Sequence, residues 1–265
     1  MWIIFSDIDG TLINDKLEIL PRTKESILKE VKKGNLFVPV SARSPLAMQT
    51  VIKQLGIKCP LSAFNGALIL NEEGVQIYSK PLPLAEAREI VKELNDLTSV
   101  TWNIYSDLSW LTQKPKTQAL LAEEKIVKLC AKAIDVSEIE NLKCIHKVLV
   151  MGPKNILDEL LKIYSQRYSN LYLVKSKDTL LEIVASGVEK ADSIKRVSDY
   201  YHVEISNTLA FGDNYNDERM LKTVGKGYLM GNAPEELKKH YPYITADYNH
   251  AVSYTHLTLP TIYSV

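Results

Sequence analysis

Short apolar runs that stop at polar clusters organise the chain. Trp2-Ile3-Ile4-Phe5 runs without interruption into Ser6-Asp7-Ile8-Asp9-Gly10-Thr11, the pattern of a strand buried on both faces whose carboxyl end carries acids. Pro21 opens a helix with Ile27, Leu28 and Val31 on one face, and Gly34 closes it before a second apolar run, Leu36-Phe37-Val38-Pro39-Val40. These elements predict a βαβ unit. The second run ends in Ser41-Ala42-Arg43, and residues 45–55 followed by Gly56 predict the next helix. Pro39 predicts a local irregularity, because proline cannot donate to a strand ladder.

The texture changes from about Pro81. Residues 84–97 and 118–133 predict amphipathic helices, and residues 100–105, 146–151 and 171–174 predict strands, an order that suggests an α+β insert. Strand and helix alternate again through residues 180–184, 189–201 and 208–211, and the last run ends in Gly212-Asp213-Asn214-Tyr215-Asn216-Asp217. The expected architecture is therefore α/β. A parallel-sheet core is built from residues 1–81 and 186–250, with residues 82–185 inserted as a second domain.

Composition narrows the function classes. At 265 residues, 46% hydrophobic and 24% charged, the chain has the length and make-up of one or two globular domains, and two is the working count. Lys+Arg and Asp+Glu each number 32, so no global basic field exists to hold a nucleic acid. Three cysteines, Cys59, Cys130 and Cys144, without a CxxC pair argue against a disulfide framework or a zinc knuckle. No apolar run approaches the ~18 residues of a membrane span and no leader precedes Ser6, so a cytoplasmic protein without a membrane partner is expected. His146, His202 and His240 lack metal spacing and read as packing or surface residues, while Cys144 reads as a small buried apolar residue.

In an open parallel sheet, ligands bind outside the carboxyl ends of the strands, and there the chain offers Asp7, Asp9, Thr11, Ser41, Asp213, Asn216 and Asp217. Carboxylates converging at one place repel unless a cation sits among them, and oxygen-only donors suit Mg²⁺. A carboxylate there can also attack phosphorus, and Asp7 stands first in line. Gly10 lets the backbone approach an anion, and the Thr11 hydroxyl can bind a phosphoryl oxygen. Taken alone, Asp7-Ile8-Asp9-Gly10-Thr11 is equally a polar turn after a strand. Lys190 sits at the start of a helix, where an ammonium opposes the helix dipole unless it meets an anion.

The ordered set Asp7-Ile8-Asp9-Gly10-Thr11, Ser41, Lys190 and Gly212-Asp213-Asn214-Tyr215-Asn216-Asp217 resembles the four motifs of the haloacid dehalogenase (HAD) superfamily. Phe64-Asn65-Gly66-Ala67, Gly187-Val188-Glu189-Lys190 and the insert length are similar to its Cof-type phosphatases with a type IIB cap. The resemblance implies a Rossmann-like core with an inserted α+β cap. It implies Asp7 as nucleophile and metal ligand, and Asp9 as general acid/base that also lends a backbone carbonyl to the metal. It further implies Thr11, Ser41 and Lys190 as phosphate-binding residues and Asp213 as a metal ligand, with Gly10, Arg43, Asn65, Asn216 and Asp217 in support. The implied cofactor is Mg²⁺, and the implied partner a small phosphorylated metabolite, sugar phosphates favoured. Relatives usually carry Thr-Gly-Arg where this chain has Ser41-Ala42-Arg43; the hydroxyl survives, but Ala42 removes backbone freedom that bears on where Arg43 lies.

Three other readings compete with a phosphatase. A phosphomutase of the same capped family separates by its product. A phosphoaspartate receiver keeps its phosphoryl group, whereas Asp9 is placed to assist hydrolysis, and a non-catalytic binding module predicts lost acids. Residues 251–265 depart from the family's expected closing helix and resemble a translated sequencing adapter, so they are expected to be a non-native tail.

Overall fold

The computed structural model describes residues 1–249, and the tail expected at residues 251–265 lies outside the described residues. Four parallel strands form the core sheet in the order Lys226–Leu229, Thr208–Gly212, Ile3–Ser6, Leu36–Pro39. Ile3 pairs with Thr208 on one side and with Leu36 on the other, so the central strand joins both ends of the chain. Every residue of Ile3–Ser6 is buried, as a strand covered on both faces requires. The helix Pro21–Lys32 makes the predicted crossover, and Ile3, Phe5, Val38, Ile194, Val197 and Ala210 share one apolar cluster.

Pro39 ends its strand, and the backbone shows why it is tolerated there. The N–H groups of Leu36 and Val40 donate to Trp2 and Ser6 on the central-strand side, so Pro39, an odd step away, would aim its missing donor at the opposite side. On that side pairing begins only past the proline. Val40 bridges Ser62, and the Ser41 N–H donates to the Ser62 carbonyl, where the antiparallel sheet Leu61–Ala63, Leu68–Leu70, Gln76–Ser79 takes over.

The chain divides into two compact units, one of residues 1–43, 48–78 and 189 onward, the other of residues 44–47 and 79–188. The second unit contains a six-stranded sheet in the order Leu171–Lys177, Leu180–Ala185, Lys147–Met151, Thr101–Ser106, Ser109–Gln113, Lys132–Ile134. Alternate residues Trp102, Ile104, Val148, Val150, Leu181 and Ile183 share one core with Ile90 and Leu94 of the helix Leu84–Asn95 and Leu157 and Tyr164 of the helix Lys154–Arg167.

One predicted helix is corrected. Instead of spanning residues 118–133, it covers Gln118–Val127 and stops at Lys128, which is left-handed at φ 55° and returns its N–H to the Glu124 carbonyl. The Glu124 carboxylate accepts from the Ala131 N–H at 2.6 Å and from Lys116 Nζ at 2.7 Å, fixing the reversal into the strand Lys132–Ile134.

Candidate active site

Four parallel strands deliver polar groups at their carboxyl ends: Asp7 after Ile3–Ser6, Ser41 after Leu36–Pro39, Asp213 after Thr208–Gly212, and Asn232 after Lys226–Leu229. Sequence reasoning stopped at three of these ends. Asn232 donates through Nδ2 to the Gly10 carbonyl at 2.9 Å and to Asp213 Oδ2 at 3.2 Å. Its signal was weaker than the others': a polar residue, in Gly231-Asn232-Ala233, just past the short, half-buried strand Lys226–Leu229.

Asp7 is 5% exposed and Lys190 3%. Lys190 Nζ donates to Asp7 Oδ1 and to Asp217 Oδ1, both at 2.6 Å, so one ammonium bridges two buried carboxylates. Lys190 is the first residue of the helix Lys190–Tyr201, capped by Glu189 and Asp192, and Ser193 one turn on meets Ser62 Oγ at 2.7 Å. The helix is thereby tied to the sheet with its lysine turned inward, and the carboxylates supply the anions that its position demands. Burial works to lower the Lys190 pKa, but Asp7 and Asp217 outweigh it and raise it.

The loop after Thr208–Gly212 folds back on itself. The N–H groups of Asp213 and Asn214 donate to Asp217 Oδ2 at 3.0 and 3.1 Å, and Asp217 packs so closely on Gly212 that a Cβ there would lie 2.5 Å from the Asp217 Cβ. Asp213 Oδ1 accepts from Thr11 Oγ1 at 3.1 Å. Gly10 has φ +79°, and a Cβ on it would stand 2.4 Å from Asp213 Oδ2, so only glycine fits between the two loops. Asn216, predicted as a supporting residue, is exposed on its loop.

The Asp9 carboxylate lies apart from this cluster. Its side chain is 55% exposed and both oxygens are gripped by Arg43, Nε at 2.9 Å and Nη2 at 2.5 Å. Arg43 in turn donates its backbone N–H to Ser41 Oγ at 3.2 Å. Ala42 is not among the residues of positive φ, so the Ser-Ala-Arg turn does not need glycine's freedom. Asn65, left-handed at φ 58°, donates its N–H to the Ser41 carbonyl, while its buried Oδ1 has no hydrogen-bond partner.

Asp7, Asp213 and Asp217 present carboxylate oxygens within 4.8 Å of one another. Burial raises the Asp7 pKa well above its ordinary value, against the pull of Lys190 and with Asp217 adding to the rise. Burial and then Asp217 push Asp213 up to about 6. Three carboxylates facing a single ammonium leave two negative charges, the complement of a divalent cation. The donors are all oxygens, and the buried Oδ1 of Asn232 has no partner, so the residues fit a hard ion such as Mg²⁺.

Comparison with known proteins agrees with this geometry. Residues 4–254 match the family described as haloacid dehalogenase-like hydrolase. The chain is 32% identical over 246 residues to a Haemophilus influenzae protein named "Putative phosphatase", covering 93% of each chain. It is 28% identical to the HMP-PP phosphatase of Serratia proteamaculans, covering 89% of this chain and 86% of that one. The crystal structure of TM0651 from Thermotoga maritima superimposes with a TM-score of 0.88 at 27% identity, covering 96% of both chains. With acids from two neighbouring parallel strands gathered about one lysine, and with this match along nearly the whole chain, the protein belongs to the haloacid dehalogenase-like hydrolases and is an enzyme of their phosphatase group.

Proposed function

We propose that the protein is a cytoplasmic Mg²⁺-dependent phosphatase that hydrolyses small phosphorylated metabolites, sugar phosphates favoured, through an aspartyl-phosphate on Asp7. The observation that carries this reading is the Asp7 carboxylate, buried at a strand end and held by Lys190 at 2.6 Å beside Asp213 and Asp217. Asp7, Asp213 and the Asp9 carbonyl hold Mg²⁺, with Asp217 alongside. When bound, the ion supplies positive charge that offsets the phosphoryl group.

An Asp7 oxygen attacks phosphorus and the ester P–O bond breaks, while Asp9 gives its proton to the departing alkoxide. Asp9 then takes a proton from water, which attacks the aspartyl-phosphate and releases phosphate. Lys190, Ser41 and Thr11 bind the phosphoryl oxygens. Arg43 occupies both Asp9 oxygens, so proton transfer requires Asp9 to exchange that partner. An incoming phosphate offers the guanidinium a substitute anion of matching shape. Residues 82–185 act as a type IIB cap that sets substrate preference. The name of the Serratia relative adds HMP-PP to the substrates worth assaying.

The test is a panel of phosphorylated metabolites assayed for phosphate release with Mg²⁺. Exhaustive chelation is expected to stop turnover and Mg²⁺ to restore it; activity that survives chelation would overturn the metal assignment. With a phosphate ester whose leaving group departs without a proton, Asp9→Asn is expected to slow turnover while phosphoenzyme accumulates, because attack then needs only Asp7 whereas water activation still needs Asp9. Failure to trap a phosphoenzyme in either the wild type or this variant would contradict the two-step route.

A pH dependence follows from the raised acids. With Asp213 shifted up to about 6, the folded, metal-free protein binds its proton more tightly than the unfolded chain does. The stability this contributes is complete at low pH and is lost as pH rises through about 6. A cation competes with that proton, so Mg²⁺ should raise the melting temperature more at about pH 7.5 than at about pH 5. Equal shifts at the two pH values would separate these acids from the cation site.

A further inference from the structure

Among the described residues one further group of metal-ligating side chains comes together: Asp107, Cys144 and His146, whose ligand atoms lie within 4.8 Å of one another. All three belong to the second unit. Asp107 sits in the turn between Thr101–Ser106 and Ser109–Gln113, left-handed at φ 48°. Cys144 and His146 lead into Lys147–Met151, which pairs with Thr101–Ser106 in a register that sets Tyr105 against Lys147. That register brings the turn beside the cysteine and the histidine.

The hydrogen bonds fix the state of each ligand. The Asp107 N–H donates to His146 Nδ1 at 3.3 Å, and an amide can only donate, so Nδ1 carries the lone pair and Nε2 the proton. Nε2 gives that proton to Ser79 Oγ at 2.9 Å. This is the tautomer, and the outer partner, that a metal-ligating histidine takes. The Cys144 thiol donates to Asp107 Oδ2 at 3.3 Å, and Asp107 Oδ1 stands 4.0 Å from His146 Nδ1. Ser106 Oγ donates to the Cys144 carbonyl at 2.8 Å and pins the main chain there.

We propose that Cys144 Sγ, His146 Nδ1 and an Asp107 carboxylate oxygen bind a thiophilic divalent cation, Zn²⁺ foremost, with water in the fourth position. Around tetrahedral zinc these atoms stand about 3.3–3.7 Å apart; Sγ to Oδ2 already spans 3.3 Å, while metal entry requires the Asp107 N–H to leave the Nδ1 lone pair and one Asp107 oxygen to come closer to Nδ1 than the 4.0 Å of Oδ1. One sulfur and one imidazole in the set disfavour Mg²⁺, which separates this site in kind from the all-oxygen acid cluster. The metal replaces the thiol proton, which leaves to solvent as the S–Zn bond forms. Asp107, 58% exposed at its side chain, opens the route of entry while His146 is wholly buried. The bound ion would tie the turn to the neighbouring strand.

The experiment is a Co²⁺ titration of the metal-free full chain, read by absorbance. One equivalent is expected to give a thiolate-to-cobalt charge-transfer band, displaced by Zn²⁺, with one proton released per chain. The acid cluster, having no sulfur, gives no such band. Cys144→Ser should abolish the band, while Cys59→Ser and Cys130→Ser keep it. Asp107→Asn preserves the turn, since asparagine tolerates a left-handed backbone, and should weaken Zn²⁺ binding about tenfold or more with phosphatase activity unchanged. Absence of the band, its survival in Cys144→Ser, or unchanged Zn²⁺ affinity in Asp107→Asn would each overturn the proposal.

Discussion

Asp7→Asn should reduce phosphate release by at least about a thousandfold, the scale of losing a covalent nucleophile, while leaving the fold intact. The amide cannot attack phosphorus. Its effect on stability is small for a specific reason: Lys190 keeps Asp217 at 2.6 Å, and removing one charge from a crowded set of carboxylates relieves repulsion. In metal-free buffer the variant should therefore melt at or above the wild-type temperature. Mg²⁺ should then stabilise it less than the wild type. Turnover within about tenfold of the wild type would remove Asp7 from the role of nucleophile.

Lys190→Met makes the opposite prediction, a large loss of stability together with loss of activity. The ammonium donates to both Asp7 Oδ1 and Asp217 Oδ1 at 2.6 Å, and all three groups are buried. Breaking a buried ion pair by removing one member typically costs about 3–5 kcal/mol, because the remaining charge is stranded. Here two are stranded. Urea unfolding in the presence of a chelator measures the loss, and Mg²⁺ should recover part of it by restoring positive charge to the same oxygens. A loss below about 1 kcal/mol would mean that the acids find their counter-charge elsewhere.

How legible these residues were in the sequence depended on how local their signals are. Asp7 to Thr11 and Gly212 to Asp217 stand next to the strands that position them, so the apolar runs pointed straight at them. Lys190 was legible because its place at a helix start is electrically unfavourable without an anion. Asn232 follows a strand as well, but Lys226–Leu229 is short and only half-buried, so no apolar run drew attention to it. The overlong helix at residues 118–133 has another cause. Apolar residues continue past Val127 at Leu129 and Ala131, and neither glycine nor proline marks the reversal that Lys128 makes. Asp107 and His146 lie 39 positions apart and meet only through antiparallel pairing, which no spacing rule anticipates.

The discontinuous core sheet has a consequence for synthesis on the ribosome. All six strands of the larger sheet lie within residues 101–185, so that unit can close as soon as one uninterrupted stretch has emerged. Ile3–Ser6 has to wait. Its partner Thr208–Gly212 arrives about 200 residues later, a delay on the order of 10–40 s at ordinary translation rates. During that interval one edge of a wholly apolar strand, Ile3-Ile4-Phe5, lacks its neighbour. The nascent chain is thus expected to be a chaperone client through its first strand, while its insert is already protease-resistant. Ribosome-bound chains arrested after Ala185 has cleared the exit tunnel but before Gly212 has are where that asymmetry can be read.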